Sequence, residues 1–299
     1  MITIKQIHYA LAVAKTLHFK KAAEACHVSQ SALSTAISEC EKQLGWQLFE
    51  RNNKKVLITP EGKVFIEKAQ KIKLAIDELA ELKHVNQPPL TSPMTIGVIP
   101  TIGPYLLPKV LPELRKSYPN FKINIVEERS HILVDRVKSG DIDVAILALP
   151  FALNGLIAFQ FWQEDFYWVS HKSDCPSNLD EITSDQLELE KLMLLKEGHC
   201  LKDHVLSACN LPSTDSNASF NATSLYTLIQ MVVGKLGTTL VPQMALDQLI
   251  YPESDLIAVH LNEPGPHRRL AFVQRPNYTK TGDVELLITL FAQQLKQYR

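Results

Sequence analysis

Residues 19–62 read FKKAAEACHVSQSALSTAISECEKQLGWQLFERNNKKVLITPEG, and this stretch decides the fold of the N-terminal part of the chain. Its first eight residues predict a short helix whose alanines permit close packing. A turn follows, and Ser29 is a good N-cap for a longer helix that Gly45 ends. Residues 3–15 carry apolar side chains at helical spacing and predict a preceding helix. Helix, short turn and helix predict a helix-turn-helix unit, which places its second helix in the major groove of DNA.

The predicted second helix begins with side chains that are short enough to reach base edges. The hydrogen-bonding residues near its N-terminus are Gln30, Ser31, Ser34 and Thr35. In a helix-turn-helix unit, this end of the second helix contacts the bases. These four residues are therefore candidate DNA-binding residues, and double-stranded DNA is the expected partner.

The residues after this helix predict a wing. Asn52-Asn53 is a hairpin-turn dipeptide, residues 56–58 form a short apolar strand, and Thr59-Pro60 is a cap followed by proline at the first helical position. Basic side chains on this wing could neutralise DNA phosphates: Arg51, Lys54 and Lys55. The alternative interpretation of this region is a three-helix packing unit with solvated charges.

The charge of the chain is unevenly distributed. Its net charge is −1, but residues 1–73 hold 12 Lys and Arg against 6 Asp and Glu, a net charge of +6. The remaining residues hold 19 Lys and Arg against 26 Asp and Glu, a net charge of −7. A basic segment attached to an acidic body is expected when one part of a protein binds a polyanion such as DNA.

The composition predicts a protein of the cytoplasm. The first 20 residues lack the charged and apolar blocks of a signal peptide. The most apolar runs, such as DVAILAL at 143–149, are far shorter than the ~20 residues that span a bilayer. The chain has five cysteines at irregular spacing, which does not describe a secreted disulfide framework. Cytoplasmic thiols are normally reduced, so any disulfide is expected to be conditional.

Residues 60–87 predict a helix that joins two copies of the chain. Apolar side chains recur at alternating intervals of four and three residues, which is typical of a coiled-coil seam: Phe65, Ala69, Ile72, Ile76 and Leu79. Such a seam would hold two DNA-reading units at a fixed separation, and packing against the chain's own body is the alternative. We therefore predict a DNA-binding domain at 1–59 and a dimerisation linker helix at 60–87.

Beyond a proline-rich stretch at 87–93, short apolar strands alternate with helical segments, which predicts an α/β fold with parallel strands. A second series of strands and helices follows. The strand RRLAFVQRP at 268–276 and a closing helix from about 281 to 297 are expected to return to the first series. No Ser/His/Asp order, zinc-protease motif or phosphate-binding glycine loop is present, so the sequence does not predict an ordinary enzyme.

Residues 198–209, GHCLKDHVLSAC, place Cys200 and Cys209 nine residues apart. Two unrelated buried thiols, a metal site, a structural disulfide and a redox pair are the possible interpretations. The spacing matches no common zinc pattern, and a helix would direct the two cysteines to nearly opposite sides, so we expect no metal ion and no other cofactor. Cys200 begins a predicted helix, whose positive end would favour the nucleophilic thiolate together with nearby Lys202 and His199 or His204.

The redox interpretation includes a mechanism. A thiolate attacks peroxide to give a sulfenic acid, which a second cysteine resolves as a disulfide. In a continuous helix the two cysteines would lie roughly 13 Å apart along the axis, whereas a disulfide requires Cα atoms within about 7 Å. The segment would have to unwind, and oxidation would thereby become a conformational change.

These motifs together resemble the LysR-type transcriptional regulators. The shared residues are AA at 22–23, VSQ at 28–30, LG and LF.R within 44–51, and TPEG at 59–62, while Cys40 departs from the usual pattern. The resemblance covers the whole chain and implies a winged helix-turn-helix, a linker helix, and then an effector domain of two α/β lobes like periplasmic binding proteins. That domain would occupy 88–299, with lobe I at about 92–163 and 268–299 and lobe II at about 164–267.

The segment GHCLKDHVLSAC further resembles the hydrogen-peroxide-sensing OxyR branch of that family, as do TIGPYLLP at 101–108 and ATSLYTL at 222–228. By this resemblance Cys200 is the peroxidatic cysteine and Cys209 the resolving cysteine. The resemblance further assigns peroxide placement to Thr101, Ser130 and His199 and a supporting hydrogen bond to Asp203. Lys202 replaces a frequent arginine and keeps its charge, whereas Asn221 replaces another and loses it.

The same resemblance implies the partners. They are promoter DNA, RNA polymerase, hydrogen peroxide, a cellular thiol reductant of the glutaredoxin or thioredoxin type, and further copies of the chain in a homodimer that assembles to a homotetramer. The expected function is activation of oxidative-stress genes, switched by a reversible Cys200–Cys209 disulfide. One alternative is a LysR-type regulator with a small effector in the interlobe cleft and incidental cysteines. Another is a thiol peroxidase, for which a winged helix would have no purpose.

Overall fold

The computed structural model describes residues 1–51, 55–81, 88–175, 179–196, 198–211, 221–251 and 253–298. The chain forms two compact units, residues 1–86 and 87–299, and each unit has a hydrophobic core of its own. Within these described ranges, none of the helices combines the length and the apolar character that crossing a bilayer requires.

The N-terminal unit is a winged helix-turn-helix followed by a long helix, which confirms the predicted fold. Its elements are helices α1 (Ile4–Thr16), α2 (Phe19–Ala25) and α3 (Gln30–Leu44), strands β1 (Phe49–Arg51) and β2 (Val56–Ile58), and helix α4 (Pro60–Glu81). Strands β1 and β2 pair antiparallel and form the wing. Leu33 and Ile37, one turn apart on α3, are both fully buried in the core because residues four apart lie on the same face of a helix.

Local hydrogen bonds and one glycine define where these helices begin and end. Ser29 Oγ accepts a hydrogen bond from the backbone N–H of Ala32 at 3.2 Å, which satisfies one of the free donors at the start of α3. Gly45 ends α3 with a φ of 82°, a conformation that glycine adopts without steric cost. Thr59 Oγ1 accepts a hydrogen bond from the N–H of Gly62 at 2.9 Å and caps α4.

Part of the predicted wing and linker is not described. The turn at Asn52-Asn53 and Lys54 lie outside the described residues, as do the last residues of the predicted linker helix, 82–87. Helix α4 is described to Glu81. Along it, Ala69 is buried whereas Ile72 and Leu79 are about half exposed or more, so the apolar seam continues beyond the part that the unit's own core covers.

The C-terminal unit alternates strands and helices. Its elements are β3 (Met94–Val98), α5 (Gly103–Ser117), β4 (Ile123–Glu127), α6 (Ser130–Ser139), β5 (Val144–Leu149), β6 (Ile157–Glu164), β7 (Phe166–His171), β8 (Glu181–Ile182), β9 (Leu194–Leu195), α7 (Cys200–Ala208), β10 (Asn221–Ala222), α8 (Leu225–Val233), β11 (Thr239–Pro242), α9 (Leu246–Leu249), β12 (Leu256–Leu261), β13 (Arg268–Gln274) and α10 (Thr281–Leu295). Short 3₁₀ turns connect several of them. Strand β6 was not predicted from the sequence.

Two principal sheets divide this unit into two α/β lobes, which confirms the predicted architecture. The first sheet has the strand order β4-β3-β5-β13-β6 and the second β11-β7-β12-β8. The prediction of parallel strands is only partly correct. Strand β3 is parallel to β4 and β5, but β13 runs antiparallel to β5 and β6. The reason is that β13 enters the first sheet from the second lobe instead of through a crossover helix on its own lobe.

The chain passes between the lobes at two neighbouring points. Strand β6 of the first sheet ends at Glu164 and β7 of the second begins at Phe166, while β12 ends at Leu261 and β13 begins at Arg268. Arg268 is paired with Glu164 in the register of the antiparallel strands β13 and β6. Both connections between the lobes therefore lie side by side at the same end of strands β6 and β13.

Candidate functional site

Helix α7 carries both cysteines of the 198–209 segment, one at each end. Cys200 is its first residue and Cys209 its C-cap. Both thiols are free and buried, with exposed fractions of 4% and 3%. Gly198 before the helix has a φ of 91°, and a Cβ there would lie 3.2 Å from an Arg129 guanidinium nitrogen. A glycine therefore allows the turn that brings Cys200 against the neighbouring lobe.

A buried arginine lies at the centre of the site. Arg268, the first residue of β13, is 1% exposed. Its Nε donates to Glu164 Oε1 at 2.7 Å, and its Nη2 donates to the carbonyl oxygen of Thr101 at 3.1 Å. A longer contact of 3.4 Å joins its Nη1 to Thr101 Oγ1. The other oxygen of Glu164 accepts from the backbone N–H of Met244 at 2.8 Å, so the buried ion pair is hydrogen-bonded on both sides.

Cys200 lies beside this arginine and Ser130. Burial raises the pKa of the Cys200 thiol, while interaction with the Ser130 hydroxyl and then the positive charge of Arg268 act to lower it. The Ser130 hydroxyl nevertheless forms no hydrogen bond of ordinary geometry with any described residue. It therefore faces the thiol with spare hydrogen-bonding capacity. Ser130 is the first residue of α6, and its backbone fixes where that hydroxyl lies.

The net effect on Cys200 differs from the sequence-based expectation. The helix start was expected to favour the thiolate together with Lys202 and a histidine, yet burial outweighs the lowering influences in the reduced protein. The reason is that an apolar environment disfavours the charged form of the thiol. Lys202 is not among the groups that shift the pKa of Cys200, and Arg268 supplies the positive charge instead.

Cys209 is more strongly disposed toward the protonated thiol. Burial, and to a smaller extent the charge of Glu263, raise the pKa of Cys209 to about 12. Helix α7 is continuous between the two cysteines, so their Cα atoms are separated by roughly 13 Å along its axis. The described conformation is therefore a reduced one in which the two thiols are held apart.

Two histidines accompany Cys200 on this segment. His199, the N-cap residue of α7, makes no capping hydrogen bond through its side chain, and burial followed by the charge of Arg129 lowers its pKa. His204 is 2% exposed, and its Nε2 lies 2.9 Å from the carbonyl oxygen of Pro150. Burial is the main cause that lowers the pKa of His204 as well. Both rings therefore favour the neutral form at neutral pH.

Most of the sequence-predicted residues of the site lie near one another. Thr101 and Ser130 come from the ends of two strand-to-helix connections in lobe I and meet the Cys200 region around Arg268. Asp203 is different, because it is exposed on α7 and forms none of the hydrogen bonds found in the described residues. The expected supporting hydrogen bond from Asp203 is therefore not formed in this conformation.

Sequence reasoning missed two residues of this site, Glu164 and Arg268, and considered His204 only as a metal ligand or as a group that favours the thiolate. The signal that could have identified Arg268 is a charged residue at the start of an apolar strand, since a buried charge must be paired and such groups concentrate at functional sites. No local pattern indicates Glu164, because it is 104 residues away from Arg268.

The candidate DNA-contacting residues are distributed over α3 and the wing. Gln30, Ser31 and Thr35 are exposed, and Ser34 is half-buried. Ser31 Oγ lies 3.0 Å from Ser29 Oγ. Lys55 is exposed next to the wing strand β2. The backbone of Arg51 belongs to β1, but its side chain is not described, and Lys54 lies outside the described residues.

The other three cysteines belong to other elements than α7. Cys40 is fully buried in the core of the N-terminal unit, and Cys26 packs partly buried against the same core. Cys175 ends a 3₁₀ turn and is half-buried. In the part of the chain that the structure describes, no three His, Cys, Asp or Glu side chains are grouped so that they could hold a metal ion.

Two family models match the chain. A model of bacterial regulatory helix-turn-helix proteins of the lysR family matches residues 4–63, and a model of the LysR substrate binding domain matches residues 89–296. These ranges correspond to the winged helix-turn-helix and to the two α/β lobes. The division of the chain between residues 86 and 87 falls in the stretch 64–88 that separates the two matches.

Individual proteins are similar over nearly the full length. The HTH-type transcriptional regulator EstR of Acinetobacter baylyi is 35% identical over 288 residues, 96% of this chain and 95% of that protein. The DNA-binding transcriptional dual regulator OxyR of Escherichia coli K12 is 33% identical over 278 residues, 92% of this chain and 90% of that protein.

Solved structures are also similar to this chain over nearly the full length. Full-length OxyR from Pseudomonas aeruginosa with a cysteine-to-aspartate substitution has a TM-score of 0.80 and 32% identity, covering 97% of this chain and 95% of that one. A hydrogen-peroxide-bound cysteine-to-serine mutant of Corynebacterium glutamicum OxyR has a TM-score of 0.67 and 31% identity, covering 99% and 94%. From the two family models and this similarity in sequence and structure, the chain belongs to the LysR family of bacterial helix-turn-helix transcriptional regulators.

Proposed function

We propose that the protein is a hydrogen-peroxide-sensing transcriptional regulator whose signal is the oxidation of Cys200. The observation that carries this proposal is the position of the Cys200 thiol, buried at the start of α7 beside the Ser130 hydroxyl and the charge of Arg268. The same guanidinium binds Thr101. Hydrogen peroxide is small and uncharged, and its two O–H groups can form hydrogen bonds with the hydroxyls of Ser130 and Thr101. The Cys200 thiol, once ionised, is the nucleophile that attacks peroxide.

The proposed chemistry begins with attack of the Cys200 thiolate on one peroxide oxygen. The S–O bond forms as the O–O bond breaks, and the second oxygen leaves as hydroxide, which takes up the thiol proton to become water. Sulfur is oxidised by two electrons to the sulfenic acid. The Cys209 thiol then attacks this sulfur, the S–S bond forms, and the second water leaves. Arg268 favours the thiolate electrostatically, while Ser130, Thr101 and His199 are proposed to hold the peroxide.

The second step requires a change of conformation. A separation of roughly 13 Å along α7 exceeds the ~7 Å between Cα atoms that a disulfide tolerates, so α7 must unwind before Cys209 reaches Cys200. Both cysteines are core residues, and their departure repacks the surface around α7. This repacking is the proposed link between oxidation and a changed arrangement of two copies of the chain.

The remaining roles follow the division of the chain. Residues 1–59 are proposed to bind promoter DNA through Gln30, Ser31, Ser34 and Thr35 on α3, with phosphate contacts from Arg51, Lys54 and Lys55. Residues 60–87 are proposed to dimerise through the exposed apolar seam of α4, and 88–299 to sense peroxide. Assembly to a homotetramer, contact with RNA polymerase and reduction by a glutaredoxin- or thioredoxin-type protein are further parts of the proposal. The names of the relatives support it, since several are hydrogen peroxide-inducible genes activators.

The test is a direct map of oxidation in the full-length protein. Reduced protein receives about one equivalent of hydrogen peroxide, and disulfides are identified by peptide mass spectrometry under non-reducing conditions. The proposal predicts a rapid Cys200–Cys209 link with Cys26, Cys40 and Cys175 still reduced. A Cys175→Ser variant is the matched control and is expected to form the same link.

Two outcomes contradict the proposal. Slow oxidation scattered over all five cysteines removes the sensor role of Cys200. Sustained peroxide turnover with a thiol reductant, at a rate typical of a thiol peroxidase, would instead assign an enzyme. A stoichiometric reaction that stops at the disulfide until a reductant is added is the expected result.

A second candidate is a regulator that responds to a small effector. One finding favours it, a cavity of about 320 Å³ in lobe II lined by Trp168, Ser170, Lys191 and Thr238 among others. This cavity belongs to one lobe, whereas the sequence-based alternative placed the effector between the lobes. Under this candidate a Cys200→Ser protein regulates its promoter normally, whereas the peroxide proposal predicts loss of the response.

A further inference from the structure

His204 is a buried titratable group for which the mechanism above has no use. It lies one helical turn after Cys200 on α7 and is 2% exposed. Side chains four residues apart share one face of a helix, and the later one leans back over the turn that precedes it. His204 and Cys200 both experience the positive charge of Arg268. The imidazole and the thiol are therefore both buried, lie on one face of α7 and experience the same positive charge.

The hydrogen bond of His204 fixes which ring nitrogen carries the proton. Its Nε2 lies 2.9 Å from the carbonyl oxygen of Pro150, and a carbonyl can only accept, so Nε2 is the donor. In a neutral imidazole the other nitrogen is then an acceptor with a free lone pair. That nitrogen, Nδ1, is buried and has no hydrogen-bond partner among the described residues. A buried acceptor without a partner lowers the stability of the fold, so its presence calls for an explanation such as a catalytic role.

The Cys200 thiol needs a group that accepts its proton. Burial raises the pKa of its thiol, so the thiol must give up a proton before sulfur attacks peroxide. Arg268 cannot accept this proton, and the hydroxyl of Ser130 is a weak base. Asp203 is exposed. His199 is the N-cap residue, outside α7, and is already proposed to hold the peroxide. Among these neighbours, His204 alone has a buried, open acceptor on the face of Cys200.

We propose that His204 is the proton acceptor for Cys200, an inference that rests on the proposed peroxide chemistry of this thiol. Nδ1 takes the thiol proton as sulfur attacks one oxygen of hydrogen peroxide. The S–O bond forms, the O–O bond breaks, and the imidazolium returns the proton to the leaving hydroxide, which departs as water. Sulfur is oxidised by two electrons and peroxide is reduced, so the ring ends in its starting state.

The groups around His204 favour the neutral form of its ring, which is the form that can accept a proton. Arg268 from β13 opposes protonation of the ring, whereas Asp203 on α7 and the carbonyl of Pro150 favour it, and desolvation by burial is the largest influence. Together they lower the pKa of His204 below its ordinary value of 6.5. Glu164 neutralises Arg268 from β6. The ring is therefore neutral at pH 7, and becomes protonated and inactive as an acceptor only when the pH falls below about 6.5.

The test is the pH dependence of Cys200 oxidation. The second-order rate with hydrogen peroxide is measured from pH 5 to pH 9 on the full-length protein by quenching, alkylation and mass spectrometry. With an internal acceptor, the wild-type rate is level between about pH 7 and 8.5 and falls below pH 6.5. In His204→Gln, whose amide still donates to Pro150 but cannot take a proton, the rate rises about tenfold per pH unit with the thiolate fraction. At pH 7 it is at least tenfold below wild type.

His267 provides the matched control because it is a buried histidine with both nitrogens engaged. Its Nδ1 accepts from the N–H of Phe166 at 2.9 Å, and its Nε2 lies 3.1 Å from the carbonyl of Glu263. His267→Gln is expected to retain the wild-type pH profile. Thermal unfolding of each variant checks that it is folded.

Three results separate the inference from the proposed function. A wild-type rate that itself rises tenfold per pH unit from pH 7 to 8.5 overturns the role of His204, whether or not the variant folds. Identical profiles for wild type and His204→Gln overturn it as well, while peroxide sensing by Cys200 stands. Failure of peroxide to oxidise Cys200 in the wild type at any pH refutes the proposed function itself.

Discussion

The helix-turn-helix and the thiol site differ in how far along the chain their defining contacts reach. Ser29 caps α3 through a residue three positions away, and Gly45 ends the same helix by its own backbone conformation. In the thiol site, Arg268 bonds to Thr101 across 167 residues and to Glu164 across 104. The first region is stabilised by neighbours in sequence and the second by strands that meet only in the folded sheet.

This difference has a functional meaning. The DNA-reading helix must keep its shape in every state of the protein, and local caps give it that independence. In the proposed mechanism the thiol site changes when the Cys200–Cys209 disulfide forms, and α7 there meets groups from several elements. The N-terminal unit is therefore expected to tolerate oxidation that rearranges α7.

The largest effect is expected from Arg268→Met. The substitution leaves the carboxylate of Glu164, which is fully buried with Arg268, without its charged partner. Breaking a buried ion pair costs about 3–5 kcal/mol, and denaturant unfolding of the C-terminal unit should show this loss. Arg268→Met combined with Glu164→Gln should recover much of it, because the unpaired charge is gone. If the single variant is as stable as wild type, the pair is not the anchor of the site.

A slightly smaller effect is expected from Ile37→Ala in the helix-turn-helix core. Ile37 is fully buried, and shortening a buried isoleucine to alanine costs about 2–5 kcal/mol through lost burial and the cavity left behind. The loss should appear in the unfolding transition of the N-terminal unit and in weaker DNA binding. Peroxide oxidation of Cys200 should proceed at the wild-type rate, and a slower rate would contradict the independence of the two regions.

A smaller loss of stability is expected from Ser29→Ala, which removes the N-cap of α3. Removing an N-cap hydroxyl costs about 1 kcal/mol, since the N–H of Ala32 loses its acceptor. The expected result is a small decrease in thermal stability of the N-terminal unit. Ser38→Ala, at an exposed position on the same helix, is the control and should change stability by less than about 0.5 kcal/mol. Equal effects in both variants would mean that the cap has no special role.

The smallest effect is expected from Asp247→Asn. Lys109 on α5 and Asp247 on α9 form a 3.0 Å salt bridge, in which the Asp247 side chain is 65% exposed. An exposed partner limits such a bridge to no more than about 1 kcal/mol. Unfolding in low and high salt should show that the difference from wild type shrinks as salt rises. A difference that is independent of salt would show that the bridge contributes by packing and not by charge.

The sequence predicted the helix-turn-helix almost to the residue, because caps, apolar spacing and the terminal glycine are all local signals. It also predicted the alternation of strands and helices in the body and the family to which the chain belongs. The direction of β13, the existence of β6 and the partners of Arg268 were not predictable in this way, since each depends on which strands lie side by side. Asp203, expected in the site, is exposed instead.

The local structure and the chemical identity of the groups were predictable from the sequence: a second helix-turn-helix helix that begins after Ser29 and ends at Gly45, a basic segment at 1–73 and two cysteines nine residues apart. How those groups behave depends on long-range packing. Burial of Cys200 outweighs the lowering influences and raises the pKa of its thiol, and the Nδ1 of His204 is buried without a hydrogen-bond partner among the described residues. The physical reason is that solvent exclusion and long-range contacts set a pKa, and neither is a property of neighbouring residues in the chain.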